Sequence, residues 1–158
     1  DKKNTWIIDP IDGTTNFLHG IPHFAISIAL KSENEITSGL IYDPIKDEMF
    51  YGEKDNGAFF NNQRIRVSKK RNVNACLFAT GGKSKKEIDL PIRKSGSAAL
   101  DMAYVGAGRY DGCFQDELNL WDIAAGIIII KEAGGIINEI DISQNKNIKV
   151  TAASSTIN

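Results

Sequence analysis

This chain of 158 residues is short of several things that would point to a function at once. It has two cysteines, Cys76 and Cys113, neither in a C-x-x-C pair nor beside ligand-spaced histidines. That excludes a disulfide framework and a thiolate zinc site, fits a reducing compartment, and leaves buried free thiols as the reading. Only two histidines occur, His19 and His23, on either side of a turn at Pro22, and they read as structural or solvent-facing. No sign of charge dominates: 19 Lys and Arg against 20 Asp and Glu give a net charge of −1, so nothing global draws the chain to nucleic acid or an anionic membrane. Direct nucleic-acid binding is therefore not expected. The longest apolar run, Ile123 to Ile130, is too short to span a bilayer, and no charged-then-apolar leader opens the sequence. An initiator Met is also missing. A buried-type strand follows Asp1 almost at once, which suggests a truncated or processed chain. What is present, 42% hydrophobic and 25% charged residues, suits one globular domain over residues 1–158.

The pattern alternates strands with a few helices. Thr5 to Ile8 reads as a short buried strand, and D-P-I-D-G-T-T turns it toward a helical segment at Asn16 to Leu18. Ala25 to Lys31, Glu35 to Tyr42 and Glu48 to Tyr51 read as an antiparallel meander separated by polar turns, and Ala58 to Phe60 as a short strand between the turn residues Lys54 to Gly57 and Asn61-Asn62. Ala75 to Ala79 is a further strand, and the polar, basic stretch Gly81 to Lys94 reads as an exposed loop. Ser97 to Val105 is helical with Ser97 as N-cap. A short strand at Cys113 to Gln115 precedes the clearest helix, Leu120 to Ala133, which Gly134-Gly135 ends and whose Ile127 to Ile130 implies burial on all sides. Strands at Ile136 to Ile140 and Ile148 to Ala152 close the chain, and Trp6 and Trp121 read as core aromatics. This mixture predicts a layered α/β (α+β) domain. Gly106-Ala107-Gly108 opens like a dinucleotide fingerprint, but the next glycine, Gly112, is four residues on, so no Rossmann reading follows.

Chemistry concentrates at D-P-I-D-G-T-T-N-F, Asp9 to Phe17. Pro10 fixes the turn after a strand, so the Asp9 and Asp12 carboxylates can converge, and two such groups repel unless a cation lies between them. Hard oxygen donors without His or Cys suit Mg²⁺ or Mn²⁺, with the Ile11 carbonyl as a further ligand. Backbone N–H groups at Gly13 and Thr14 would take a phosphate oxygen. Taken alone, D-P-x-D-G is more often an ordinary turn. W-D-I-A-A-G shifts that balance, because Asp122 stands at a helix start where the dipole favours a carboxylate and three small residues follow it.

D-P-I-D-G-T-T-N-F, then G-S-A-A-L-D at Gly96 to Asp101, then W-D-I-A-A-G-x-x-x-x-x-E-A-G-G at Trp121 to Gly135, resemble the inositol monophosphatase family in order and long-range spacing. The branch they look like is the bacterial inositol-1-monophosphatases, also called extragenic suppressor proteins. The resemblance implies a layered αβαβα sugar-phosphatase fold and a cytoplasmic, lithium-sensitive homodimer that uses two or three Mg²⁺ ions. It implies hydrolysis of a small phosphomonoester, such as inositol 1-phosphate, to polyol and phosphate. Catalytic roles fall to Asp9, Asp12, Thr14 and Asp122, and metal binding to Asp9, Ile11, Asp12 and Asp122. Phosphate and substrate contacts fall to Asp12, Gly13, Thr14, Gly96, Ser97, Ala98, Gln115 and Asp122.

Three departures qualify the carry-over. Seven residues before Asp122 the family usually has a glutamate that binds a sugar hydroxyl, and here Gln115 stands there. A neutral amide binds a hydroxyl less strongly, so a sugar bisphosphate or a nucleotide 3′-phosphate is an alternative substrate. The stretch from Gly82 to Arg93 is shorter than in relatives. The family's N-terminal segment, with a metal-binding glutamate and an acid that orients the attacking water, precedes the region matched, so the 158 residues alone are expected to be poorly active. A non-catalytic partner of a transcription complex is the remaining alternative, with the lysine-rich Lys83 to Lys86 as its support.

Overall fold

In a computed structural model the chain is described over residues 4–81 and 90–157. Six antiparallel strands follow one another in order: β1 (Asn4–Asp12), β2 (Ala25–Ser32), β3 (Glu35–Asp43), β4 (Glu48–Glu53), β5 (Gly57–Phe60) and β6 (Gln63–Arg64). The expected three-stranded meander is the centre of this sheet, β2 to β4, which β1 extends on one side and β5 and β6 on the other. A second, mixed sheet has the order β10-β11-β9-β7-β8, from β7 (Phe78–Gly81), β8 (Ile92–Arg93), β9 (Gly112–Leu118), β10 (Gly135–Ile137) and β11 (Ile148–Ser154). Between the sheets lie α2 (Ala98–Gly106) and α3 (Leu120–Glu132), while the short α1 (Thr14–Leu18) follows β1. The described residues thus form a β, α, β stack, the inner three of the five layers that the resemblance implies.

Burial follows the stack. Ile123, Ala124, Ala125 and Ile127 to Ile130 of α3 are all buried, together with Leu100, Met102, Ala103 and Val105 of α2 and Ile41 and Phe50 of the first sheet. The run that looked buried on all sides is so because α3 packs on β2, β3 and β4 on one side and on α2 and β10 on others. Close approach is made possible by glycine. A Cβ at Gly39 would lie 2.7 Å from Ala125 Cα, and one at Gly52 would lie 2.9 Å from Ile129 Cα. Both cysteines are buried and unpaired, as read. No helix among the described residues is long and apolar enough to cross a membrane.

Several sequence expectations need correction. Trp6 is 65% exposed, because β1 is an edge strand and its outward side chains, Trp6 and Ile8, meet no covering helix among the described residues. Trp121 is half-buried. The strand expected at Ala75 to Ala79 starts later, after a 3₁₀ turn at Val73–Ala75 whose entry Asn72 caps through its side chain. Within the supposed loop Gly81 to Lys94, Ile92 and Arg93 pair in parallel with β7, while Lys83 to Lys86 lie outside the described residues. The strand expected over Ile136 to Ile140 ends at Ile137.

Candidate active site

Asp9 and Asp12 come from one strand, and regular alternation would send residues three apart to opposite faces. The register against β2 resolves this: Asp9 pairs with Ser27 and Asp12 with Ala25, so β1 carries one extra residue across the interval. Such a bulge turns the second carboxylate back to the face of the first. Pro10 sits in it without needing to donate to the ladder. The Asp9 Oδ1 accepts the Ile11 N–H at 3.0 Å, which fixes the turn from within. Gly13, at φ 86°, then carries the chain into α1. A side chain there would press on the Gly96 and His23 carbonyls, each 3.2 Å from its Cβ, so glycine also lets the two motif loops meet.

Asp12 is buried against the start of α2. Its Oδ2 accepts the Ser97 hydroxyl and the Ala99 N–H, the latter at 3.0 Å. Ser97 is also the N-cap of α2, its Oγ accepting the Leu100 N–H at 3.3 Å. Asp122 lies in the first turn of α3, and its Oδ2 accepts two bonds from Asn119, at 2.7 Å from the backbone N–H and 3.1 Å from the side-chain amide. The backbone of Trp121 is tied to β2 by the Ser27 hydroxyl at 3.4 Å.

These anchors bring one carboxylate oxygen each of Asp9, Asp12 and Asp122 within 4.8 Å of one another. No Lys or Arg forms an ion pair with any of the three among the described residues. Asp12 is pushed up to about 7, chiefly by burial, with the bonds from Ser97 and Ala99 opposing the rise and the neighbouring Asp122 and Asp9 adding to it. Asp122 is also raised, chiefly by burial. Three acids in a poorly solvated space lacking positive charge are what a divalent cation would stabilise, and an all-oxygen set suits Mg²⁺ or Mn²⁺ rather than zinc.

The other expected residues fall around this cluster. Thr14 is exposed at the start of α1, Ile11 is half-buried between the two aspartates, and Gly96, Ser97 and Ala98 form the turn and first residue of α2 beside Asp12. Gln115 is buried, and its amide donates to Asp101 Oδ2 at 2.7 Å. Residues that sequence reasoning left without a role now have one. Asn16 donates to the His23 and Ser95 carbonyls, at 2.8 and 2.9 Å, and so joins the loop after α1 to the turn before α2. Asp101 accepts the Ser95 hydroxyl at 2.7 Å. The available signal was a polar residue inside each motif, N in T-T-N-F and D in A-A-L-D, the latter between the core residues Leu100 and Met102.

Residues 1–157 match the profile of the inositol monophosphatase family. An inositol-1-monophosphatase of Rhizobium meliloti is 45% identical over 150 residues, covering 85% of this chain and 56% of that protein. A fructose-1,6-bisphosphatase/inositol-1-monophosphatase of Thermotoga maritima is 47% identical over 143 residues, again 85% of this chain and 56% of the relative. Among solved structures, the extragenic suppressor protein suhB of Bartonella henselae superposes with a TM-score of 0.90 at 43% identity, over 99% of this chain and 66% of that one. The chain thus spans a little over half the length of these curated relatives.

Proposed function

The chain belongs to the inositol monophosphatase family, and from that premise we propose that it carries the acidic centre of a Mg²⁺-dependent phosphatase hydrolysing small phosphomonoesters such as inositol 1-phosphate to polyol and phosphate. The observation that carries the reading is the convergence of Asp9, Asp12 and Asp122 oxygens within 4.8 Å. Bound divalent cations would supply Lewis-acid polarisation of the phosphoryl group and lower the pKa of an attacking water. Asp9, Asp12 and Asp122 would hold them, with the Ile11 carbonyl as a further oxygen. The protein's own part is to fix these oxygens in advance: the bulge aims Asp12, Ser97 and Ala99 hold its Oδ2, and Asn119 holds Oδ2 of Asp122. Gly13 and Thr14 would meet the phosphate, and Gly96 to Ala98 the hydroxyls of the leaving polyol. The resemblance puts a further acidic ligand upstream of Asp1, so the reading includes slow turnover by the 158 residues alone.

A sugar bisphosphate is the second reading. The double name of the Thermotoga relative, fructose-1,6-bisphosphatase/inositol-1-monophosphatase, favours it. Phosphate release from inositol 1-phosphate, fructose 1,6-bisphosphate and a nucleotide 3′-phosphate, with Mg²⁺ and with a chelator, tests both. The proposal requires release that depends on Mg²⁺ and falls on the order of a hundredfold or more in Asp122→Asn, since a preorganised charged group is removed. Release that survives the chelator, or no release by a form of relatives' length, would overturn it.

A further inference from the structure

Asp101 is buried among Leu100, Met102 and Ala103 and belongs to no cation-holding set, yet a carboxylate in such a place is unfavourable unless it is bonded. Both of its oxygens are engaged: Oδ1 takes the Ser95 hydroxyl and Oδ2 the Gln115 amide, each at 2.7 Å. The Gln115 amide has little freedom to leave. Its Oε1 lies 2.2 Å from where a Cβ on Gly81 would be, so it is packed directly on the β7 backbone. From Asp101 the bonds run on toward the acidic cluster. Ser95 Oγ accepts the Ser97 N–H at 3.2 Å, and the Ser97 hydroxyl donates to Asp12. The same turn is held from the other side by Asn16, and it bends through Gly96 at φ 85°.

We propose that Gln115 and Asp101 are a positioning pair for Asp12: their buried bond fixes Ser95, Ser95 fixes the turn at Ser97, and Ser97 holds the Asp12 carboxylate where it meets Asp9 and Asp122. The inference rests on the metal-dependent reading above and assigns Gln115 a different task from the hydroxyl contact implied by the family resemblance. Neither member of the pair touches the reacting groups. A carboxylate at position 115 would face the Asp101 carboxylate across a hydrogen-bond distance, whereas an amide supplies the donor that Asp101 needs. The polarity can be reversed. With an amide at 101 and a carboxylate at 115 the amide oxygen still accepts from Ser95 and its NH₂ donates to position 115.

The test is Mn²⁺ binding, followed by electron paramagnetic resonance, in the intact gene product carrying this chain, with thermal melting to verify folding. Asp101→Ala and Gln115→Glu are each expected to weaken Mn²⁺ binding by about 10–100-fold, the range typical of groups that orient a ligand. The double variant Asp101→Asn/Gln115→Glu is expected to recover to within about threefold of the parent, because coupled sites are non-additive. A purely packing role would not produce that rescue. Folded single variants that bind Mn²⁺ as the parent does, or a double variant weaker than both, would overturn the pair and leave the metal-dependent reading standing. A parent protein that binds no Mn²⁺ would overturn both.

Discussion

At position 12 a carboxylate is enclosed by two others and by the start of a helix, and its charge state governs how the site behaves. Burial holds both Asp12 and Asp101 up at about 7, against 3.8 for an ordinary aspartate. The folded chain therefore retains protons that the unfolded chain has lost across that interval. The stability contributed by these two groups is full below about pH 4 and is lost as pH rises through about 7. A divalent cation binds the deprotonated acids and displaces the protons, so its own effect runs the opposite way. Melting curves with Mg²⁺ and with a chelator should show a larger Mg²⁺-induced rise in Tm at about pH 8 than at about pH 5.5. An equal rise at both would mean that the acids do not hold the ion. Asp9 and Asp12 were legible as a pair from their types and the proline between them. The bulge that lets them share a face was not, because it exists only relative to the register of β2.

Among the elements, α3 connects fold to site, since its first turn carries Asp122 and its body fills the space between the sheets. Its existence and span were readable from the apolar run and the two closing glycines. Small residues near its start implied a close neighbour, and Gly39 on the sheet, against Ala125, is the complementary half of that contact, with Gly52 making a like approach to Ile129 farther along. Their role was hidden in sequence, because a glycine within a strand does not say which helix lies above it. Gly39→Ala should therefore lower stability by about 1–3 kcal/mol through overpacking and shift α3 with Asp122. Urea unfolding would register this as a lower midpoint, and an unchanged midpoint would show that the sheet yields without cost. Trp6 shows the converse limit. Both faces of β1 carry apolar residues, Ile7 on one and Trp6 and Ile8 on the other, so sequence could not tell the face that packs from the face that does not.

Across the whole molecule, no helix among the described residues covers the outward face of the first sheet. Outward positions on the first sheet bring Trp6 opposite Leu30, Ile8 opposite Ile28, and Leu40 opposite Tyr51, with Met49 also exposed. A contiguous apolar surface of this kind favours association or binding of apolar dyes. The 158-residue chain should bind a hydrophobic fluorophore and sediment heavier as its concentration rises, and Ile8→Lys should reduce both. A dilute, dye-silent monomer would contradict that. On the other side of the sheet three acids from β1 and α3 converge on the site proposed to hold the cation. Calorimetric titration of Mg²⁺ into the protein addresses it most directly, comparing the parent with Asp12→Asn and Asp122→Asn. Saturable binding is expected in the parent, with its loss or marked weakening in each variant; Mg²⁺ binding that both substitutions leave unchanged would mean that these acids do not hold the ion.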